Sequence, residues 1–136
     1  MWRDNPVLGV GSNEFPSNYR SYAAQIGLDS RSERDAHNSY LQQAAESGTL
    51  GFLAFIAMIG AGFWCAIRAR SRLLAQGALS AAGVCDALIA GLVGYCCAAV
   101  LLHQSYPQYL WMWIALAAGA LLLSGYRMRS ILGERG

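Results

Sequence analysis

Three long apolar segments constrain the fold of this chain more than any other feature of its sequence. A helix that crosses a bilayer needs about 20 mainly apolar residues. Segments 49–67, 78–102 and 108–125 are close to this length or exceed it, and the first and third contain no charged residue. A soluble bundle of three helices would need polar outer faces, which these segments lack. The sequence therefore predicts an all-α membrane protein with three transmembrane helices.

The charge content agrees with this prediction and excludes one class of partner. Only 13% of the 136 residues are charged, whereas a soluble domain usually has about 25%. Much of the surface is therefore expected to face lipid. All ten basic residues are arginines, and no basic patch interleaved with aromatic residues occurs in a polar segment. We expect no nucleic-acid binding.

The arginines also predict the orientation of the three spans. Positively charged residues beside spans remain on the cytoplasmic side. Arginines follow the first and third spans, whereas loop 103–107 between the second and third has none. Residues 1–48 are therefore predicted to lie outside and the C-terminus inside the cell. The arginines that set this orientation are Arg68, Arg70, Arg72, Arg127, Arg129 and Arg135.

Three helices form a small bundle, and most of their faces would remain in lipid. The polar segment 1–48 begins at Met1 without a signal peptide or an earlier span that would export it. We therefore expect the chain to be the C-terminal part of a larger, polytopic assembly.

The sequence of the polar segment predicts a loop followed by a helix. Residues 1–29 contain turn-forming residues, including Asn5-Pro6 and a glycine-rich stretch, and are expected to be loop throughout. Ser30-Arg31-Ser32-Glu33 fits a capping box, and Asp35 is a second possible N-cap. A helix is therefore predicted from about residue 35 into the first span, with His37 on one of its faces.

Two motifs in this segment resemble a known family. His37-Asn38, nine further residues and then Gly48-Thr49-Leu50-Gly51 resemble the H-[N/S]-x9-G-x-x-G signature of the O-antigen ligase and polymerase family. Asn5-Pro6-Val7-Leu8-Gly9-Val10-Gly11, followed by Phe15, resembles the upstream loop of that family, in which a proline precedes two glycines separated by apolar residues. The resemblance covers roughly residues 2–64.

The resemblance implies a fold and a reaction. Members of this family are polytopic bacterial inner-membrane enzymes of the GT-C type, so residues 1–48 would be periplasmic. They move a glycan from undecaprenyl diphosphate to an acceptor, which is lipid A-core, another glycan or a protein hydroxyl. The reaction needs no metal and no cofactor.

The resemblance also implies roles for particular residues. His37 would be the catalytic base or would orient the acceptor, because a neutral imidazole can accept or hold the proton of the attacking hydroxyl near neutral pH. One arginine guanidinium can donate two parallel hydrogen bonds to two phosphate oxygens, so the exterior arginines would contact the diphosphate. The expected substrate-binding residues are Arg20, Arg31, Arg34 and Asn38, and the motif glycines Gly9, Gly11, Gly48 and Gly51 would be structural.

Structural alternatives remain open for each of these side chains. His37 could be a surface residue of its helix, and Asn38 could support only the helix start. Arg31 and Arg34 lie near acidic residues in the sequence and could form local ion pairs. Glu46 is expected to be a carboxylate on the helix surface, and Asp86, inside the second apolar segment, is expected to be structural.

Three functions are compatible with the sequence. The first is part of an O-antigen ligase-like glycosyltransferase. The second is a small non-catalytic membrane protein or the remnant of a disrupted gene. The third is a transferase that attaches oligosaccharides to protein hydroxyls.

Overall fold

The computed structural model describes residues 1–28, 31, 36–101 and 107–133, and within these residues all regular structure is helical. Three helical stretches are long and apolar enough to cross a membrane: Ser39–Ala75, Leu79–Ala98 and Tyr109–Tyr126. The predicted all-α fold with three apolar helices of transmembrane length is thereby confirmed. The helices in chain order are α1 (Phe15–Gln25), α2 (Ser39–Ala75), α3 (Leu79–Ala98) and α4 (Pro107–Gly133).

The chain divides into two compact units. The N-terminal unit contains Met1–Ala57 and Cys97–Tyr106, and the three-helix unit contains Met58–Cys96 and Pro107–Gly136. Both motifs that resemble the family, and all the residues expected to act on substrate, belong to the N-terminal unit.

The N-terminal unit contains a helix where the sequence predicted loop. The turn-forming residues predicted loop throughout 1–29, but Phe15–Gln25 form α1. Two residues beyond the end of this helix, Gly27 has φ of +71°, which allows the amide of Leu28 to donate to the carbonyl of Ala23 at 2.9 Å. Only one residue of α1 is buried, so the apolar periodicity that would have predicted this helix is weak.

Helix α2 begins later than the sequence predicted. Its first residue is Ser39 rather than a residue near 35. His37 therefore precedes the helix and has a left-handed backbone with φ of +44°, so the predicted position of His37 on a helix face is wrong. The predicted capping residues Ser30, Glu33 and Asp35 lie outside the described residues.

Helix α2 is interrupted at a single residue. Gly48 has φ of +64° and ψ of −167°, which is not a helical conformation. The rings of Tyr40 and Phe55, one on each side of the break, pack edge to face with centroids 6.1 Å apart. The break directly precedes Thr49, where the first uncharged segment begins.

Small residues form the core of the three-helix unit. Ala69, Leu73, Ala82 and Cys85 make one buried cluster between α2 and α3. In a bilayer the lipid tails are as apolar as the side chains, so the hydrophobic effect does not drive helices together. Small side chains allow close approach, and van der Waals packing then stabilises the contact. Larger apolar side chains, such as Leu122 of α4, are exposed and are free to face lipid.

The acid inside the second apolar segment has an arginine partner. Arg70 Nε donates to Asp86 Oδ1 at 2.5 Å, which joins α2 to α3 within the three-helix unit. Both side chains are more than a third exposed, so in water such a pair would contribute little to stability. In a membrane it neutralises a charge that would be costly if it were alone.

Candidate functional site

The two motifs meet where the loop Asn5–Gly11 lies against the break in α2. In an unbroken helix the carbonyls of residues 45 and 46 would accept the amides of residues 49 and 50. Instead, the Ala45 carbonyl accepts the amide of Val10 at 3.0 Å, and the Glu46 carbonyl accepts the amide of Gly11 at 2.9 Å. The loop thus pairs both carbonyls that precede the break.

The same loop pairs the amides that follow the break. The amide of Thr49 donates to the Pro6 carbonyl at 2.8 Å, and the amide of Leu50 donates to the Val7 carbonyl at 3.3 Å. The Thr49 hydroxyl also donates to the Pro6 carbonyl at 2.8 Å. We refer to the loop Asn5–Gly11 and these backbone hydrogen bonds to residues 45, 46, 49 and 50 as the backbone splice.

Glycines allow the two backbones to approach closely enough for the backbone splice. A Cβ at Gly9 would lie 2.3 Å from a carbonyl oxygen of α2, and one at Gly48 would lie 2.4 Å from the Val7 carbonyl. Both glycines also have positive φ, which side chains disfavour. Gly51 follows Gly48 by about one turn, and a Cβ there would lie 2.3 Å from Ser47 Cβ.

Glu46 is a buried carboxylate that joins α1 to α2. Only 2% of its surface is exposed, so the predicted surface position is wrong. Its carboxylate accepts the amides of Asn13 at 3.0 Å and Phe15 at 3.4 Å, and the Nε2 of Gln42 at 3.0 Å. Because Phe15 is the first residue of α1, Glu46 supplies a negatively charged acceptor where a helix N-terminus favours one.

Helix α1 carries one of the predicted substrate-binding arginines. Arg20 is exposed, and its Nη2 donates to the backbone carbonyl of Arg31 at 3.3 Å. This bond places the Arg20 guanidinium against the backbone of Arg31, while Arg34 lies outside the described residues. On the same helix, a hydrogen bond to Asp4 raises the pKa of Tyr22 above its ordinary value.

Asn38 is the N-cap of α2. Its Oδ1 accepts the amide of Leu41 at 3.0 Å, and its carbonyl accepts the amide of Gln42 at 3.0 Å. This is the capping geometry for which Asn and Ser are both preferred. The family motif allows either Asn or Ser after the histidine. Both side chains can cap the same helix, which explains this choice physically.

His37 lies directly before this cap and is exposed. Its φ of +44° is uncommon for a residue other than glycine. A left-handed residue next to a fixed cap has few backbone alternatives, so the direction in which the imidazole leaves the chain is restricted. This exposure leaves His37 accessible to a molecule that approaches the start of α2.

The capping geometry leads to a prediction for Asn38. Replacing Asn38 with Ala should lower the free energy of unfolding by about 0.5–2 kcal/mol, because the Leu41 amide loses its acceptor. Asn38→Ser should retain most of the stability. Thermal unfolding of the detergent-solubilised protein, followed by circular dichroism, measures both effects. Equal destabilisation by Ala and Ser would show that capping is not the role of this side chain.

Comparison with known proteins agrees with the motifs. Residues 1–56 match the model of the O-antigen ligase family. This stretch contains α1, the backbone splice, Glu46, His37 and Asn38, and the match confirms over these residues the resemblance predicted from the motifs. No curated protein and no solved structure matches the chain.

Sequence reasoning missed the residues that join the two motifs. In the sequence, Glu46 and Thr49 are a carboxylate and a threonine near the predicted membrane boundary. Nothing beside them indicates that they bond to residues more than 30 positions away. One local signal did exist, because α1 has no side-chain cap of its own and therefore needs an acceptor from elsewhere. That signal becomes useful only once α1 itself is known.

Proposed function

We propose that this chain acts in glycosyl transfer of the O-antigen ligase type. A glycan would move from undecaprenyl diphosphate to a hydroxyl of lipid A-core or of another glycan. The observation that carries the proposal is the exposed imidazole of His37, held directly before the Asn38 cap in the part of the chain that matches the ligase family.

His37 and the arginines would have different roles in this reaction. The acceptor hydroxyl attacks the anomeric carbon, its proton moves to His37, and the bond from this carbon to the diphosphate oxygen breaks. Diphosphate is a good leaving group, so the reaction needs no general acid. Its growing negative charge would be stabilised by Arg20 and by the neighbouring Arg31, with Arg34 as a further candidate.

The proposed location follows from the arginine pattern. The chain is a membrane protein by its apolar helices, and we place it in the bacterial inner membrane with residues 1–48 in the periplasm and the C-terminus in the cytoplasm. One contact fits the opposite directions that this topology gives to α2 and α3. The amide of Ser39 donates to the Ala99 carbonyl at 2.8 Å, so the start of α2 lies beside the end of α3.

The test is the replacement of His37 by Asn. Asn adopts a left-handed backbone readily, so the local fold should remain, but its carboxamide cannot accept the proton. Transfer should fall by about 10²–10⁴-fold, the usual contribution of general base catalysis. The measurement is glycan transfer in membranes that contain the lipid-linked donor and the acceptor.

A matched control separates chemistry from folding. Asn38→Ser changes the adjacent residue while retaining the cap, and it should keep most of the transfer activity. Both variants should reach the membrane level of the unaltered protein on an immunoblot. Full transfer by the His37→Asn variant would remove His37 from the mechanism and with it the main support for the proposal.

A further inference from the structure

Large apolar side chains of the N-terminal unit are exposed on both parts of the backbone splice. On the loop, Val7 is 62% exposed and Leu8 is 72% exposed. On α2, just after the break, Leu50 is 63% exposed and Leu53 is 60% exposed. We refer to these four side chains as the apolar edge.

Hydrogen bonds fix the position of the apolar edge. The Leu50 amide donates to the Val7 carbonyl, so the loop and the helix are joined at the edge itself. Within the loop, the amide of Gly9 donates to the Asn5 carbonyl at 3.0 Å, which places Val7 and Leu8 in the turn that this bond closes. The exposure of these side chains is therefore a property of the folded loop.

A tryptophan and an arginine lie beside the apolar edge. The indole Nε1 of Trp2 donates to the Thr49 hydroxyl at 3.3 Å, and about half of the Trp2 surface is exposed. Arg3 is exposed next to it. Tryptophan is typical of the boundary between headgroups and acyl chains, because one end of its ring system is apolar and the other donates a hydrogen bond.

We propose that the apolar edge inserts into the outer lipid layer of the bilayer, so that loop Asn5–Gly11 is a membrane-inserting element. Continuity with the first span identifies lipid as the occupant. Leu50 and Leu53 already belong to the apolar helix that enters the membrane, and the loop is bonded to residues 49 and 50. Val7 and Leu8 therefore lie at the depth at which that helix enters lipid. The insertion does not depend on the proposed reaction.

The consequence is a fixed depth for the whole N-terminal unit. A loop that enters the lipid on one side of the span acts as a second point of attachment beside the helix. It holds the break at Gly48 close to the headgroup plane. A phosphate carried by a membrane lipid lies in that plane.

A fluorophore at position 8 tests the insertion. Leu8→Cys is introduced into the full chain after the four native cysteines are replaced by Ala, and it is labelled with the polarity-sensitive fluorophore NBD. The protein is reconstituted in vesicles of phosphatidylethanolamine and phosphatidylglycerol, with and without acyl chains that carry bromine. Ser12→Cys is the matched control, because Ser12 is an exposed polar residue of the same N-terminal segment beyond the glycines.

We expect bromolipid to quench the label at position 8 several-fold more strongly than the label at position 12, and aqueous iodide to show the opposite order. Equal iodide quenching at both positions would show that the apolar edge lies in water. A label at position 8 that neither reagent quenches would show that protein covers the edge, and this result would also overturn the proposal.

A second measurement leaves the cysteines unchanged. The photoreactive residue p-benzoylphenylalanine replaces Leu8, and the protein is irradiated in native membranes. Mass spectrometry should find adducts with phospholipid. Adducts with protein alone would contradict the inference even if the cysteine-free protein fails to fold.

Discussion

Replacing Gly48 with Ala is expected to abolish folding of the N-terminal unit. The combination of φ +64° and ψ −167° belongs to a region that is essentially restricted to glycine, and a side chain there costs about 1–3 kcal/mol. The added Cβ would also lie 2.4 Å from the Val7 carbonyl, so the loop must move away. Each hydrogen bond of the backbone splice lost in this way costs about 1 kcal/mol, and the sum approaches the total stability of a typical domain.

Gly60→Ala is the matched control for this prediction. Gly60 lies in the same helix, and a Cβ at this position would meet nothing within 4 Å. Because Ala is a better helix former than Gly, this variant should be as stable as the original protein or slightly more stable. Limited proteolysis of residues 1–48 in membrane vesicles, together with the membrane level, distinguishes the two variants. Equal protease resistance of the Gly48→Ala variant would show that the backbone splice is not required.

Removing the Glu46 carboxylate is expected to have the second largest effect. In Glu46→Ala, the amides of Asn13 and Phe15 and the carboxamide of Gln42 lose their acceptor. The Gln42 donor is buried, and an unsatisfied buried donor costs about 1–3 kcal/mol. The two amides are only partly buried and can be hydrated, so the variant should lose about 2–3 kcal/mol. Helix α1 should detach first, because its N-terminus has no side-chain cap apart from Glu46.

Two further substitutions give this prediction a sharp test. Glu46→Gln retains one acceptor oxygen and the same shape, so its stability should lie between those of the Ala variant and the original protein. Glu14→Ala removes an exposed carboxylate at the start of the same helix and should change little. Thermal unfolding in detergent and protease cleavage within α1 provide the measurements. A Glu46→Ala variant as stable as Glu14→Ala would refute the role of the buried carboxylate.

The sequence predicted the features that depend on neighbouring residues. The three apolar helices follow from continuous runs of apolar residues, because exclusion from water acts on each segment separately. The two motifs were also recognised locally, from His37-Asn38 and from the glycines near residues 9 and 48. Local sequence therefore predicted the fold class and the segments that contain the candidate site.

The sequence could not predict features that depend on distant partners. Helix α1 has few buried residues, and it receives its N-terminal acceptor from Glu46, 31 residues away from Phe15. The sequence predicts a surface position for Glu46 because two of its donors, Asn13 and Phe15, come from a stretch with loop-forming residues. The predicted start of α2 is wrong for the opposite reason. Local capping patterns at residues 30–33 and at Asp35 predict a start near residue 35, whereas the cap in the structure is Asn38.

The backbone splice makes the outer end of the first span depend on a remote part of the chain. A helix normally completes its hydrogen bonds from its own neighbouring residues, so it can form before anything packs against it. Here the loop Asn5–Gly11, rather than the preceding turn of the helix, pairs the amides of Thr49 and Leu50. Hydrogen exchange at these two amides should therefore be governed by opening of the loop. A chain cleaved between α1 and α2 would keep this pairing only while its two pieces remain associated.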